Sequence, residues 1–339
     1  MRFRLIGTVV AALACTAAAP SPSPRADGGP AQARTDARPP APSPAFRFVV
    51  IGDRTDGARP GVFDRAMEQI NLLAPTFVIN VGDLIEGYSE DGQLVEKEWD
   101  EVDALTRRLE APFYRVVGNH DIGNATMRAI WQRRNGAAHY HFRYKDVLFI
   151  ALDTEEIPPP RFNQVLSKEF TKDEIRQAVL ALSADPAQRD ADFAANPRTK
   201  AAADRIMALQ RIDFSDAQMR DVEQVIAANR DARWTFVLMH RPAWKAESSG
   251  FKRIEAALAG MPHTFLAGHL HTYDYQRRDG VDYIQMGTTG GRQDAGTKKL
   301  GTMDHVLFVS MMKDGPRIAN IRLDGLYGVE GPAATAPPK

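Results

Sequence analysis

Five short apolar segments of this chain are each followed closely by an Asp, Asn or His, and this repeated pattern limits the possible fold most strongly. Apolar runs of this length, bounded by turn residues, are typical of strands buried on both faces. Segments with helical spacing lie between them, so we predict an α/β fold with a largely parallel sheet. The strand segments are 46–51, 76–81, 113–117, 234–239 and 263–267, and the helical segments are 62–73, 94–109 and 216–228.

The polar residues that follow these strands are expected to meet at one edge, because ligands of open α/β sheets bind where the strands end. Two carboxylates, one amide and four imidazoles suit zinc, manganese or iron better than calcium, which prefers oxygen ligands alone. Such a set also suits a pair of cations about 3.5–4 Å apart that share a carboxylate oxygen. The residues are Asp53, Asp83, Asn119, His120, His240, His269 and His271.

Shorter patterned segments complete the predicted core. A further strand is predicted at 147–152, and the stretch 272–323 alternates between apolar and polar residues with Gly-rich turns. We interpret that stretch as antiparallel strands with one face packed on the rest. These strands are centred on 283–286, 306–311 and 318–323.

The folded domain is predicted to span residues 46–325 as one unit. Within it, residues 155–211 are polar, Ala-rich and helical in character after a Pro158-Pro159-Pro160 break, so we interpret them as an inserted lid or cap beside the site. The Pro/Ala-rich residues 326–339 are predicted to be a disordered tail.

The N-terminal residues 1–19 have the pattern of an export signal, with Arg2 and Arg4 before an uncharged, Ala-rich stretch. In a second interpretation, the sequence Ala-Leu-Ala-Cys that ends at Cys15 is a lipoprotein cleavage box. A lipid attached to Cys15 would then anchor the protein to the membrane. The Pro/Ala/Ser-rich residues 20–45 are typical of an extended linker. We therefore expect a periplasmic or secreted protein, or one anchored through Cys15.

Composition excludes several classes of function. The 339 residues include 43 Lys and Arg against 43 Asp and Glu, which lacks the basic excess of a dedicated nucleic-acid binder. Cys15 is the only cysteine, so intramolecular disulfides and Cys-x-x-Cys sites for zinc or redox chemistry are excluded. The sequence also lacks a P-loop and a Gly-x-Ser-x-Gly elbow.

The order of the strand-end motifs resembles the calcineurin-like metallophosphoesterase superfamily over roughly residues 46–323. The motifs are Gly-Asp at 52–53, Gly-Asp at 82–83, Gly-Asn-His-Asp at 118–121, His240, and Gly-His-Leu-His at 268–271. The resemblance implies a four-layer α/β/β/α sandwich, in which helices flank two mixed sheets. It also implies a dinuclear metal centre and hydrolysis of phosphate esters or anhydrides by a metal-held water or hydroxide.

The resemblance also implies a role for each motif residue. Asp83 would bridge two divalent ions, which could be Mn, Zn, Fe or Mg. His120 would assist the leaving group, with Asp121 orienting its ring. The remaining ligands would be Asn119, His240 and His269 for one ion, and Asp53 and His271 for the other.

Two positions depart from the family pattern. The family usually opens Asp-x-His, but this chain has Thr55 in place of that histidine, and Asp56 is the candidate to replace it. Purple acid phosphatases carry a Tyr where this chain has Glu86, so an iron–tyrosinate centre is not expected.

The substrate is a phosphorylated small molecule or ester in this interpretation, with no partner protein implied. Arg241, Tyr88 and Asn119 are candidate substrate contacts, and the alternative interpretation of Arg241 is a solvated charge. Loops at 84–98 and 155–211 would contact the leaving group. A phosphodiesterase or pyrophosphatase is the alternative enzyme, and a non-catalytic metal-containing binding module is the alternative that Thr55 motivates.

Overall fold

Alternating strands and helices make up most of the protein in a computed structural model that describes residues 46–157, 162–209, 211–246, 248–293 and 302–326. The strands in this part of the chain are β1 (Phe46–Ile51), β2 (Phe77–Asn80), β3 (Phe113–Tyr114), β4 (Tyr140–Tyr144), β5 (Val147–Ala151), β6 (Trp234–Leu238), β7 (His263–Ala267), β8 (Asp274–Arg278), β9 (Val281–Gln285), β10 (His305–Met312) and β11 (Gly315–Arg322).

The helices differ in length from one to four turns. They are α1 (Val62–Leu72), α2 (Gly92–Thr106), α3 (Asn119–Ile122), α4 (Ala125–Asn135), α5 (Phe162–Glu169), α6 (Lys172–Ser183), α7 (Pro186–Ala195), α8 (Pro197–Leu209), α9 (Asp216–Ala228) and α10 (Ser249–Ala257). Across the described residues, no helix combines the length and apolar character that crossing a membrane requires.

The strands form two mixed sheets. The first has the order β11-β10-β1-β2-β3, in which β1, β2 and β3 are parallel, β10 is antiparallel to β1, and β11 is antiparallel to β10. The second has the order β4-β5-β6-β7-β9-β8, with parallel pairing from β5 through β9 and an antiparallel strand at each edge.

The sheets pack face to face through aromatic rings. Phe48 of β1 lies against Phe149 of β5 and Phe236 of β6, with ring centroids 5.2 and 5.1 Å apart. Because side chains alternate along a strand, Val49 and Ile51 lie on the opposite face, in an apolar cluster that includes residues of α1, α2 and α4.

Helices cover the outer face of the second sheet as well. Val237 and Phe265 share a buried cluster with Val222 of α9 and Phe251 of α10. The layers are therefore helices, sheet, sheet, helices, which confirms the predicted four-layer sandwich. Double coverage also explains the continuous apolar runs, because every residue of β2, β5 and β7 is buried.

Several predicted elements needed correction. The strand predicted at 113–117 ends at Tyr114, because the N–H of Val116 donates to the side chain of Asn80 in β2 instead of to the backbone of that strand. The strand at 281–285 is antiparallel to β8, across a turn in which Asp279 and Gly280 have positive φ, but it is parallel to β7. Helices α4 and α10 were not predicted.

The predicted insertion contains helices α5 to α8 in its described residues. They have their own apolar cluster, which includes Leu166, Ala178 and Ile206. An isolated bridge between Ile157 and Asp213 joins the two ends of the segment. Its role as a lid stays a prediction. The predicted export signal with Cys15, the linker and nearly all of the predicted tail lie outside the described residues.

Candidate metal centre

The carboxyl ends of strands from both sheets bring the predicted ligands together. Asp53 and Asp83 follow the parallel strands β1 and β2, while His240 and His269 follow the parallel strands β6 and β7. The backbone N–H of His269 donates to Asp53 Oδ2 at 2.8 Å, so the two sheets are linked at this edge.

One group of ligand atoms surrounds His240. Its Nε2 lies 3.1 Å from Asp83 Oδ2, 2.9 Å from Asn119 Oδ1 and 3.2 Å from His269 Nδ1. Ligands of one tetrahedral ion with bonds of 2.0–2.2 Å lie roughly 3.3–3.6 Å apart, so these separations suit a shared cation. The His240 Nδ1–H donates to Val81 O at 2.9 Å, which leaves Nε2 to bind.

A second group contains Asp53, Asp83 and His271. Its ligand atoms, like those of Asp83, His240 and His269, lie within 4.8 Å of one another. His271 Nε2 is 3.2 Å from Asp53 Oδ2, and its Nδ1–H donates to Arg292 O at 2.8 Å. Asp83 belongs to both groups, as a bridging carboxylate would.

Backbone geometry at the ligands is unusual. Asp83, His269 and His271 all have positive φ, at 59°, 74° and 55°. Non-glycine residues rarely adopt this conformation, and such residues cluster at functional sites. Close approach also requires glycine: a Cβ on Gly118 would lie 2.2 Å from Asp83 Oδ1, and one on Gly268 would lie 2.2 Å from Asp53 Oδ1.

The charges at the site are strongly coupled. Burial alone would raise the pKa of Asp83, but the charge and hydrogen bond of His240, together with the charges of His120 and His269, hold that pKa below its usual value. Burial, with the charge of His240, holds the pKa of His269 well below its usual value. The His269 ring therefore stays neutral, which is the form that binds a metal.

The donor set fits a pair of cations. Asp53 is fully buried, and its Oδ1 has no hydrogen-bond partner among the described residues. A buried carboxylate oxygen is normally paired or bound to a metal, so a cation bound here would satisfy this atom. Imidazole and carboxylate together suit Zn, Mn or Fe.

A buried threonine occupies the position at which the family usually has a histidine ligand. Thr55 is fully buried, and its Oγ1 has no hydrogen-bond partner in the described structure. Asp56, the candidate replacement, pairs with Arg292 at 2.9 Å. Asp56 is a member of neither of the two carboxylate–imidazole groups found among the described residues.

His120 lies beside the bridging residue, but its ring is oriented by a different contact from the one predicted. The backbone N–H of His120 donates to Asp83 Oδ1 at 2.9 Å, and its Nδ1–H donates to Glu86 O at 2.6 Å. The ring also lies edge-on to Tyr88, whose hydroxyl accepts from Asn119 Nδ2 at 2.8 Å.

Asp121 holds the backbone around Asp83. Its carboxylate accepts from the N–H groups of Asp83 and Gly118, at 2.8 and 2.9 Å, and from Leu84 and Ile85. The prediction that Asp121 orients the His120 ring is therefore corrected: the Glu86 carbonyl does so. Burial and the Asp83 charge raise the pKa of Asp121 to about 7.

A polar segment at the end of β5 was not predicted from the sequence. Asp153, Thr154 and Glu155 are buried there, and the Arg241 N–H donates to Thr154 Oγ1 at 3.2 Å. Burial raises the pKa of Glu155, against the opposing charges of Arg241 and His240. The signal was available, because Val147–Ala151 is an apolar run that ends in polar residues like the other five.

Among curated proteins, none matches the chain. Solved structures share its fold at low identity. A dimetal phosphatase from Danio rerio is 13% identical with a TM-score of 0.52, and the match covers 82% of this chain and 96% of that one. A purple acid phosphatase from yellow lupin is 12% identical with a TM-score of 0.52, covering 84% and 53%.

A third structure with the same fold is GAP50, the anchor in the inner membrane complex of Plasmodium. It is 12% identical with a TM-score of 0.50, and the match covers 84% of this chain and 87% of that one. Sequence gives the stronger result: a profile described as calcineurin-like phosphoesterase matches residues 46–287, which is more than half of the chain. The chain therefore belongs to the calcineurin-like phosphoesterase family.

Proposed function

We propose that the protein hydrolyses phosphate esters at a dinuclear metal centre. The observation that carries the proposal is the membership of Asp83 in two separate ligand groups, each with its own imidazole. Two divalent cations bound there would neutralise charge on the phosphate and lower the pKa of the attacking water. Family membership supports phosphoester hydrolysis as the class of reaction.

The residues of the centre have two kinds of role: most would hold the cations, and His120 would transfer a proton. Asp83 would contribute to holding both cations, together with Asn119, His240 and His269 for one and Asp53 and His271 for the other. His120 donates its Nδ1–H to the Glu86 carbonyl, so its Nε2 is the atom that can pass a proton to the leaving oxygen. Asp121 supports this arrangement by holding the N–H groups of the Asp83 turn.

The test is a purified-protein assay with added Mn²⁺, Zn²⁺, Mg²⁺ or Fe²⁺. Phosphomonoesters, phosphodiesters and pyrophosphate esters are offered in parallel, and metal content per chain is measured by elemental analysis. We expect two ions per chain and turnover of at least one substrate class. Absence of turnover in every combination would favour the non-catalytic binding module, which the Thr55 substitution motivates.

We also propose export from the cytoplasm. The proposal rests on the signal-like residues 1–19 and the Pro/Ala/Ser-rich residues 20–45. The mass and N-terminal sequence of the mature protein test it. Cleavage among residues 16–19 supports a plain signal, a lipid-modified Cys15 supports an anchor, and an intact N-terminus contradicts both.

A further inference from the structure

Arg241 is a buried cation with a side-chain donor that no described residue accepts. Its residue is 8% exposed, and its Nη1 has no hydrogen-bond partner among the described residues. The nearest ion pair is with Glu155, whose Oε1 is 3.9 Å from Arg241 Nε, too far for a hydrogen bond. Leaving a buried charged donor unpaired is costly, so this nitrogen is suited to an acceptor that arrives with a ligand.

Arg241 lies in the segment that carries a ligand of the centre. It follows His240 directly in the chain, and its backbone N–H donates to Thr154 Oγ1 at 3.2 Å. Its guanidinium faces the buried Glu155 in the segment after β5. The unpaired donor therefore belongs to the residue next to His240, on the half of the centre formed by Asn119, His240 and His269.

The segment after β5 keeps Arg241 in place. Arg128 Nη1 donates to Asp153 Oδ2 at 2.7 Å, and its Nη2 donates to Glu155 O at 2.6 Å. Gln218 Nε2 donates to Asp153 O at 3.1 Å. Because this segment is held from two helices and Thr154 accepts the Arg241 N–H, the guanidinium is preorganised rather than mobile.

We propose that Arg241 binds a phosphoryl oxygen of the substrate and makes the site selective for phosphomonoesters over phosphodiesters. This inference rests on the proposed hydrolase function. A phosphomonoester carries about −1.5 to −2 charges near pH 7 and three non-bridging oxygens. A diester carries one charge and two such oxygens, so an additional cationic donor favours the monoester.

Substitution at Arg241 tests the selectivity. For Arg241→Gln, kcat/KM for p-nitrophenyl phosphate should fall about 10- to 100-fold, the range for a charge-assisted hydrogen bond, while bis(p-nitrophenyl) phosphate changes much less. Arg241→Lys keeps the buried charge beside Glu155, and hence the fold, and should lose less of the preference. Metal content should be unchanged in both variants.

Arg54 provides a matched control. It is also 8% exposed and also follows a ligand, Asp53, but its Nη1 donates to Leu84 O at 3.0 Å and its Nη2 pairs with Glu101. Arg54→Gln should therefore leave the ratio of monoester to diester activity unchanged. An equal loss for both substrates in Arg241→Gln, or the same change of ratio in Arg54→Gln, would overturn the inference.

Binding calorimetry separates this inference from the hydrolase proposal. Inorganic phosphate and dimethyl phosphate are titrated into the native protein and into Arg241→Gln and Arg241→Lys. We expect Arg241→Gln to weaken phosphate binding about 10- to 100-fold and dimethyl phosphate binding much less. If the native protein turns over no ester, the hydrolase proposal fails, and unchanged phosphate binding in the variants would still overturn the role of Arg241.

Discussion

The two halves of the centre share Asp83 but differ in their ligands and in the structure that supports them. Around His240, an amide oxygen and a second imidazole lie within 3.2 Å of the ring nitrogen. The Asp53 half has one imidazole, from His271, and the buried Thr55 hydroxyl stands where the family usually has another. Fewer nitrogen ligands favour harder ions and weaker binding of zinc-like ions.

Their supports differ as well. The His240 half rests on strand ends and on the segment after β5 that Arg128 and Gln218 hold. The Asp53 half rests on the turn at 287–291, whose Thr289 and Gly291 N–H groups donate to Asp53 O. That turn depends in part on a buried histidine, since the Gly287 N–H donates to His305 Nε2 at 2.7 Å. Asymmetry at the centre thus extends into the protein around it.

Replacing the shared ligand should have the largest effect, because it removes the charge that both halves use. In Asp83→Asn, two cations would repel each other in a site of low effective dielectric. We expect loss of at least one metal ion per chain and of most of the activity, measured by elemental analysis and ester hydrolysis. Asp103→Asn, a half-buried carboxylate paired with Arg115, is the control and should keep both ions. Full metal content and normal rate in Asp83→Asn would contradict the bridging role.

The strand-end residues could be predicted because each signal is local. An apolar run, a turn and a polar residue are contiguous in sequence, and parallel strands place such ends at one edge without further information. Contacts of Asp121 and Glu86 could not be predicted, because they depend on how the turns after β2 and β3 pack together. Helix α4 escaped prediction because only Met127, Ile130 and Trp131 are buried in an otherwise polar segment.

Removing the proposed acid should leave the two halves intact. His120→Ala is expected to retain both metal ions and the fold but lose roughly 10²–10⁴ in rate, the usual size of an acid–base contribution. The loss should be smaller for a nitrophenyl ester, whose leaving group needs no proton. His141→Ala, an exposed histidine in β4, is the control. A His120→Ala protein that has lost metal would identify His120 as a ligand instead.

Acidic pH should destabilise the protein through His305, which holds the turn at 287–291 that supports the Asp53 half. Burial, opposed by the Asn320 hydrogen bond, lowers the pKa of His305 from 6.5 to about 4. Between these values the unfolded chain binds a proton that the folded chain excludes, so stability falls as the pH falls from 6.5 towards 4. The shift corresponds to about 3 kcal/mol of the free energy of unfolding.

Urea unfolding at pH 7.5, 5.5 and 4.5 measures this dependence. His305→Gln should be less stable than the native protein at pH 7.5 but should show a shallower loss on acidification. His139→Gln, at a histidine 3.5 Å from Asp221, should keep the native slope or nearly so. Equal slopes for the native protein and His305→Gln would show that His305 does not carry the acid sensitivity.

The smallest expected effect is that of substituting Thr55. It tests whether the two halves of the centre differ in how tightly they bind metal. Under graded chelation, the native protein should lose the ion of the Asp53 half first. Thr55→His should slow that loss by adding an imidazole, although the larger side chain in a fully buried position can cost about 1–3 kcal/mol of stability. Thermal unfolding is therefore measured alongside metal content per chain.

Thr55→Val is the matched variant, because it keeps the shape of the side chain and removes only the hydroxyl. If Thr55 Oγ1, which has no hydrogen-bond partner among the described residues, contacts the ion or its water, Thr55→Val should release the ion sooner than the native protein. If it does not, the two should behave alike and only Thr55→His should differ. Simultaneous loss of both ions from the native protein, with no change in Thr55→His, would mean that the Asp53 half is already complete and that the asymmetry of the ligands has no effect on metal binding.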